Sequence, residues 1–417
     1  MRRVASEPRP GWRRTVESQG LLHAVGRAEP GEGAEPGEGP GEGPGGTPYW
    51  DESAAYAFTE DEADVLEAAT EELHAMSVRA ARRVLDEPDL YASLGLPEHA
   101  EGILRRSLEA GGPSLYGRFD LAYDGSGPPL LLEYNADTPT ALLEAAVVQW
   151  YWLEDLHPGR DQLNTLHERL VLAWQRQLPG HAGRTVHFAA GQTEPTEDWV
   201  TLAYLRDTAR EAGLVDVGLR MEDIGWWQEG GRFVDRYDVP VDVCFKLYPW
   251  EWMLAERFGP LLDAPSARIS WIEPAWKALL SSKTLLVALW REFEGHPNLL
   301  PASLEEPGAG AGWPGVVSKP VFGWEGAGVR VKVGDVVEDS PPAHTTGQRL
   351  VHQRYAELPV FDGNRAVVGS WVVDGRAAGI GVRESRTLVT DLDARFVPHY
   401  LESPRSTPEQ VQRWLQE

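Results

Sequence analysis

A mixed α/β fold is predicted by three features of the sequence. A strand–helix–strand order over about 184–245 is typical of a parallel α/β unit. Residues 59–85 have the apolar spacing of a helix, with Thr59 as N-cap and acidic residues in the first turn. From Gly315 onward the pattern changes to strands separated by turns. We therefore expect an α/β protein with α+β character.

The chain divides into four predicted segments. Residues 27–47 are a Pro/Gly/Glu tract that cannot bury apolar surface, so the fold is expected to begin near Tyr49. The predicted segments are a disordered tail (1–47), helices with a polar hairpin (48–183), an α/β subdomain (184–270), and a lysine-bearing, glycine-rich and then β-rich part (271–417).

Two further helices are predicted from local signals. Thr138 as N-cap with Pro139 at the first helical position indicates a helix start. Residues 273–293 have helical spacing throughout, which predicts one continuous helix.

Composition excludes several classes of function. The formal net charge of −25 argues against a surface for nucleic acid or anionic membrane. No apolar run reaches the roughly 18 residues of a membrane span, and no signal peptide is evident. Cys244 is the only cysteine, so an intrachain disulfide and a cysteine-based zinc site are excluded. A cytoplasmic protein is expected.

The stretch GRFDLAYDGSGPPLLLEYNAD (117–137) predicts a β-hairpin with an unusual polar face. A turn centred on Ser126–Gly127 would place Asp120 opposite Glu133 and Arg118 opposite Asn135, with all four side chains on one face. Facing carboxylates destabilise a sheet unless something compensates them. A Mg²⁺ ion would do so, since carboxylate and amide oxygens are its ligands; a solvated polar face bridged by the arginine is the alternative.

Lysine is scarce, with five residues against 34 arginines. Lys283 lies in SSKTLL, and Lys319 lies on a strand that precedes a turn containing Gly323, Gly326 and Gly328. Such a turn lets backbone N–H groups approach phosphate oxygens, while a lysine neutralises their charge. A plain surface hairpin is the alternative. With the metal hairpin and Arg383 in GVRES, these features fit ATP chemistry.

The order of these motifs resembles the glutathionylspermidine synthase family. The hairpin with the following helix, SSKTLL, SKPVFGWEGAGV, HQRYAELP and VRESRTLV all resemble that family, over about 50–410. The resemblance implies an ATP-grasp-like synthetase fold with a Rossmann-like pre-ATP-grasp subdomain. It also implies a permuted order, with metal ligands before lysines. Because Cys244 does not lie in an N-terminal cysteine domain, amidase activity is not expected.

The resemblance implies roles for individual residues. Metal ligands would be Asp120, Glu133 and Asn135. Arg118 and Arg383 would act as catalytic arginines at the transferred phosphoryl group. Thr138 and Thr140 would contact the acid substrate. The ATP-binding set would be Lys283, Lys319, Glu325, Gly326, Gln353, Arg354, Tyr355, Ala356, Leu388, Val389 and Thr390.

The implied function is ATP-dependent ligation of a carboxylate to an amine through an acyl phosphate. ATP and two Mg²⁺ ions are the expected cofactors. A peptide-like acid, such as glutathione, and a polyamine-like amine are the expected partners. Neither nucleic acid nor membrane is expected as a partner. Two alternatives stay open: a non-catalytic ATP-binding scaffold, and a ligase that modifies a peptide or protein terminus.

Overall fold

The structure is a computed structural model and describes residues 1–22, 48–178, 180, 182–191, 197–342, 345–391 and 394–416. Its fold is mixed α/β, as predicted. The helices of these residues are α1 (Trp12–Ser18), α2 (Glu60–Asp86), α3 (Pro88–Ser93), α4 (Ala100–Ala110), α5 (Gln149–Leu156), α6 (Leu166–Gln177), α7 (Glu197–Glu211), α8 (Trp250–Ala255), α9 (Lys277–Ser281), α10 (Thr284–Glu292) and α11 (Pro408–Gln416). In the described part of the chain, none of them combines the length and apolar character that crossing a membrane requires.

The strands form four larger sheets and one small hairpin. They are β1 (Arg2–Ala5), β2 (Ala54–Phe58), β3 (Tyr116–Ala122), β4 (Leu130–Asn135), β5 (Arg160–Asp161), β6 (Thr185–Ala190), β7 (Val215–Arg220), β8 (Gly225–Trp227), β9 (Arg232–Val234), β10 (Val243–Leu247), β11 (Ser270–Ile272), β12 (Ala302–Ser303), β13 (Gly315–Pro320), β14 (Arg330–Val333), β15 (Val336–Asp339), β16 (Leu350–Arg354), β17 (Val360–Phe361), β18 (Asn364–Val373), β19 (Arg376–Ser385), β20 (Arg395–Val397) and β21 (His399–Pro404).

Two antiparallel sheets position the polar hairpin. The first, here the large sheet, has the order β20-β19-β18-β3-β4, with β17 paired to β18. The second has the order β12-β16-β13-β14-β15. They meet where side chains of β13 and β16 bond the backbone of β4, through Lys319 and Gln353.

The parallel α/β unit is confirmed. Strands β11, β10, β6 and β7 form one sheet in that order, and all its pairs are parallel. Helix α7 connects β6 to β7 and packs on both. The remaining sheet, β1-β2-β21-β5, joins the beginning of the chain to its end.

The prediction of a disordered tail over 1–47 is wrong for its first 22 residues. Strand β1 pairs antiparallel with β2, and Val16 and Leu21 are fully buried. Arg9 forms an ion pair with the buried Glu52 at 2.6 Å, and Arg3 one with Glu384 at 2.9 Å. These partners lie far along the chain, so local composition could not indicate them. The rest of the tract, 23–47, lies outside the described residues.

The predicted helix at 59–85 is confirmed as α2. The Thr59 side chain accepts a hydrogen bond from the Glu62 N–H, and the Glu62 carboxylate accepts one from the Thr59 N–H. This reciprocal capping box satisfies backbone donors that the first helical turn leaves free.

The prediction of a helix start at Thr138 is wrong. The backbone stays irregular from Ala136 to Ala141, and Ala141 has a positive φ of 63°, which interrupts any helix there. The helix begins after this residue, and a π turn at Glu144–Val148 leads into α5.

The prediction of a single helix over 273–293 is also wrong. This segment is divided into α9 and α10 because Ser282 has an extended backbone (ψ 140°). The Lys283 N–H then bonds the Val321 carbonyl at 2.8 Å, at the end of β13. The break thus ties one of the two candidate lysines to the strand that carries the other.

Candidate functional site

The hairpin has the predicted pairing. Arg118 lies opposite Asn135, and Asp120 lies opposite Glu133. A bulge follows directly after Asp120, so the register changes only beyond the polar pairs. The four side chains therefore share one face, next to β18 on one side and the second sheet on the other.

Arg118 is buried, and hydrogen bonds fix the orientation of its guanidinium group. Its Nε donates to Asp120 Oδ1 at 2.7 Å, and one terminal nitrogen donates to the Thr140 carbonyl at 2.6 Å. A Cβ at Gly369 would lie 2.9 Å from Arg118 Cδ, so glycine on β18 gives the arginine room to lie flat. Burial alone would lower the pKa of Arg118, but Asp120, together with Glu133 and Glu197, raises that pKa above its usual value.

Glu133 connects the hairpin to the first candidate lysine. Lys283 Nζ lies 3.0 Å from Glu133 Oε2, and the Asn135 amide donates to Glu133 Oε1 at 3.2 Å. Lys283 Nζ also donates to the Gly323 carbonyl at 2.9 Å, in the glycine loop. Although burial favours the neutral acid, Lys283 and Lys319 hold the pKa of Glu133 well below its usual range.

Lys319 has neutral acceptors as its hydrogen-bond partners. Its Nζ donates to the Leu132 carbonyl and to Gln353 Oε1, each at 2.8 Å. Gln353 in turn donates to the Leu131 carbonyl at 2.9 Å. Burial lowers the pKa of Lys319 to about 8; Glu133 opposes this shift and Lys283 adds to it.

A small pocket, partly open to solvent, lies on the same face of the large sheet. Arg118, Asp120, Arg383 and Thr390 line it, over an apolar floor that includes Trp371. One terminal nitrogen of Arg383 donates to the Asp391 carbonyl at 3.0 Å, while the buried Arg383 Nε has no hydrogen-bond partner among the described residues. An unpaired guanidinium N–H beside a pocket with a second arginine is suited to an anionic ligand.

The glycine loop packs against the predicted segment Leu388–Thr390. A Cβ at Gly326 would lie 2.8 Å from Val389 Cγ1 and 2.9 Å from the Thr390 carbonyl, so only glycine fits. Glu325, beside it, has a positive φ of 54° and lies near enough to Asp198 to influence its ionisation. We call residues 321–339, which include this loop, β14 and β15, the lid.

The other predicted residues lie around this cluster. Arg354 ends β16, and in the described part of the chain its buried Nε has no hydrogen-bond partner. Tyr355 and Ala356 follow it, and the Tyr355 N–H bonds the Gly315 carbonyl at 2.9 Å. Thr138 and Thr140 lie in the irregular segment before α5, where the Thr140 carbonyl accepts from Arg118. Thr140 thus lies just before the helix, which starts after Ala141, and only the predicted N-cap position of Thr138 is wrong.

Sequence reasoning left two buried ion pairs unassigned. Lys246 of β10 pairs with Asp137, whose other oxygen accepts from the Trp250 N–H at 2.8 Å. Lys277 of α9 pairs with Glu273 at 3.2 Å and donates to the Tyr116 and Ala136 carbonyls. Lysine scarcity was the available signal, but it could not identify their partners.

The residues present fit a hard divalent cation in part. Among the described residues, no cluster of three His, Cys, Asp or Glu side chains is arranged to hold a metal. Asp120, Glu133 and Asn135 offer two carboxylates and one amide on one face. That oxygen set suits Mg²⁺ when phosphates and water complete the coordination shell.

Comparison with known proteins is consistent with this site. The chain matches the family described as glutathionylspermidine synthase preATP-grasp over residues 3–402. It is 42% identical over 367 residues to a Haemophilus influenzae protein named "Putative acid--amine ligase", covering 85% of this chain and 91% of that protein.

More distant relatives are longer proteins. Trypanothione synthetase of Crithidia fasciculata is 26% identical, with 78% of this chain and 53% of that protein covered. The bifunctional glutathionylspermidine synthetase/amidase of Escherichia coli is 25% identical, with 82% and 58% covered. The chain thus spans a little over half the length of these two proteins.

The fold is also found among solved structures. A glutathione synthetase-like effector from Globodera pallida, in its apo form, has a TM-score of 0.50 at 10% identity, with 83% of this chain and 88% of that chain covered. At that identity the likeness concerns the fold alone.

The family match and the relatives define the class of protein as an ATP-dependent ligase. The chain belongs to the glutathionylspermidine synthase family, a family of ATP-dependent amide ligases. The family and the enzyme class predicted from the sequence are confirmed.

Proposed function

We propose that the protein joins a peptide-like carboxylic acid to a polyamine-like amine, forming an amide through an acyl phosphate. One observation carries this proposal: four basic side chains line one face of the hairpin and the pocket beside it. Lys283 and Lys319 lie beside Glu133, Arg118 bonds Asp120, and Arg383 lines the pocket together with Arg118. Phosphate and carboxylate groups of substrates would bind these cations.

Lys283 and Lys319 would bind the ATP phosphates from the side of the second sheet. Both ammonium groups lie beside β4, and the Lys283 ammonium also bonds the lid at Gly323. Backbone N–H groups of the glycine loop would add donors, and the segments 353–356 and 388–390 would border the nucleotide. In this order the metal ligands precede the lysines, as in the permuted ATP-grasp arrangement.

Arg118 and Arg383 would orient the acid from the pocket side. A carboxylate oxygen of the acid attacks the γ-phosphorus, the bond to the ADP oxygen breaks, and the acyl phosphate and ADP form. A neutral amine then attacks the acyl carbon, phosphate leaves, and the nitrogen loses a proton. Because Asp120 already holds Arg118, little rearrangement is needed to stabilise charge on the transferring group.

Asp120, Glu133 and Asn135 are the residues that would hold Mg²⁺, two ions in this proposal. When bound, Mg²⁺ neutralises phosphate charge during transfer.

Acidic residues near the site favour a cationic amine. Burial, with Glu197 and Glu325 nearby, raises the pKa of Asp198 to about 6. Burial, with Asp137 nearby, raises the pKa of Glu251 to about 7. A protonated amine entering here would stabilise the charged carboxylates.

The test is product formation with ATP, Mg²⁺, glutathione and spermidine, followed by a screen of other acids and amines. We expect equal amounts of ADP and amide, measured by coupled assay and mass spectrometry. Asp120→Asn should lower the rate by about 10²-fold or more, because it removes a charge from the phosphoryl site.

Asp124→Asn is the matched control. Asp124 lies in the exposed turn of the same hairpin, and it accepts hydrogen bonds from Ser126. It should retain the parent rate. Equal rates for the two variants, or no ADP with any acid–amine pair, would contradict the proposal.

A further inference from the structure

Glu338 of the lid makes a contact that the proposed chemistry does not use. Its Oε1 accepts hydrogen bonds from two successive backbone N–H groups, Leu388 at 2.9 Å and Val389 at 3.0 Å. A carboxylate that accepts two backbone N–H bonds is a strong, charge-assisted contact. Here it joins the outer strand of the second sheet to the segment that follows β19.

The lid reaches this segment at a second point. Gly326 packs on Val389 and Thr390, with no room for a Cβ. The glycine loop is tied to the end of β15, since the Gly328 N–H bonds the Pro341 carbonyl at 2.8 Å and the Val329 N–H bonds Ser340 Oγ at 2.9 Å. These hydrogen bonds connect the glycine loop to the end of the strand that carries Glu338.

The other end of the segment is anchored in the large sheet. The Asp391 carbonyl accepts from Arg383 at 3.0 Å, and Thr390 lines the pocket beside that arginine. The segment thus bridges the lid and the proposed substrate pocket.

We propose that Glu338 is a positioning residue that fastens the closed lid to the backbone of Leu388 and Val389 and so shapes the nucleotide site. This rests on the proposed function for the identity of the ligand, but the contact can be tested without it. With Glu338 removed, the lid should open more often and the segment should lose its defined path.

Asp339→Ala is the matched control for Glu338→Ala. Asp339 is the next residue of β15, is exposed, and lies 3.6 Å from Arg330 of the paired strand. Both substitutions remove one carboxylate from the same edge strand. Only Glu338→Ala removes the two N–H bonds.

The first readout is hydrogen exchange at the Leu388 and Val389 amides, resolved by NMR or by overlapping peptides. Glu338→Ala should speed it by about tenfold or more, since it removes hydrogen bonds to a charged acceptor, whereas Asp339→Ala should leave it unchanged. The second is the calorimetric affinity for a non-hydrolysable ATP analogue with Mg²⁺. It should fall about tenfold in Glu338→Ala and by a smaller factor in Glu338→Gln, which keeps a neutral acceptor.

Equal exchange in the two alanine variants would overturn the proposal. So would faster exchange with unchanged analogue affinity, because a purely structural contact predicts that result. Neither readout requires turnover, so an absence of amide formation in the parent would reject the ligase substrates and leave the Glu338 result to stand or fall separately.

Discussion

Two pairs of buried lysines lie on either side of the hairpin, and they differ in what balances their charge. Lys246 and Lys277 are 0% and 1% exposed, and each has its own carboxylate, Asp137 and Glu273. Lys283 and Lys319 are 5% and 7% exposed; among the described residues, Lys283 forms an ion pair with Glu133, and Lys319 forms none. Burial alone therefore does not distinguish a structural ion pair from a binding site. We propose that the difference in paired charge does.

The largest expected effect is on catalysis, from the unbalanced pair. Lys319→Ala should lower kcat/KM for ATP by about 10²-fold or more, because it removes a charge that faces the transferred phosphate. Steady-state kinetics at pH 7 would measure it. Lys332→Ala is the control, since Lys332 is an exposed lysine of the lid. Parent-like kinetics in Lys319→Ala would remove the distinction between the pairs.

The balanced pair should affect stability instead. Lys246→Met should lower the free energy of unfolding by about 3 kcal/mol, because it leaves Asp137 buried and charged without its ammonium partner. Urea unfolding would measure this against Lys332→Met. The double variant Asp137→Asn/Lys246→Met should recover part of the loss. A Lys246→Met protein as stable as the control would show that this ion pair does not stabilise the fold.

A pH profile can sharpen the contrast further. Since the pKa of Lys319 is lowered to about 8, its charge is lost as pH rises through 8 in the nucleotide-free protein. Affinity for the ATP analogue should therefore fall above pH 8, by at most about tenfold per pH unit. Calorimetry from pH 7 to 9.5 would measure it, with Lys319→Ala as the control. The same slope in that variant would assign the titration elsewhere.

The same lowered pKa has a consequence for stability. Between pH 8 and the usual lysine value, the unfolded chain binds more protons at this residue than the folded protein does. The contribution of Lys319 to the free energy of unfolding should therefore rise with pH in that window. A parent-minus-Lys319→Ala difference that falls with pH would contradict this sign.

The smallest expected effect concerns Ser281, which lies between the two pairs. Its Oγ accepts hydrogen bonds from the Ala136 and Asp137 N–H groups, at 3.0 and 2.8 Å, just after the hairpin. Ser281→Ala should lower the free energy of unfolding by about 1 kcal/mol. Urea unfolding against Ser18→Ala, an exposed serine, would test it; no difference between them would show that water replaces the bond.

The sequence was most informative where the determining contacts are local. The pairing of Asp120 with Glu133 follows from a short turn and strand alternation, and α2 follows from its capping box. Both Lys283 and Lys319 could be selected because lysine is rare and glycines follow the second.

Contacts between distant parts of the chain could not be predicted. Lys246 meets Asp137 across 109 residues, and Glu338 meets Leu388 across 50. The break before α10 arises from the Lys283 bond to Val321, and β1 forms because it pairs with β2. In each case tertiary hydrogen bonding overrides the local pattern, or supplies order that local composition does not indicate.

The most direct test of the central claim is the free energy of unfolding with and without Mg²⁺ and a non-hydrolysable ATP analogue, for the parent, Lys319→Ala and Lys332→Ala. At about 100 times the dissociation constant, binding to the folded state alone should add about 2.7 kcal/mol. We expect that gain in the parent and in Lys332→Ala, only with Mg²⁺, and a much smaller gain in Lys319→Ala. No gain in the parent at saturating nucleotide, or an equal gain in all three proteins, would contradict a nucleotide site between the two antiparallel sheets.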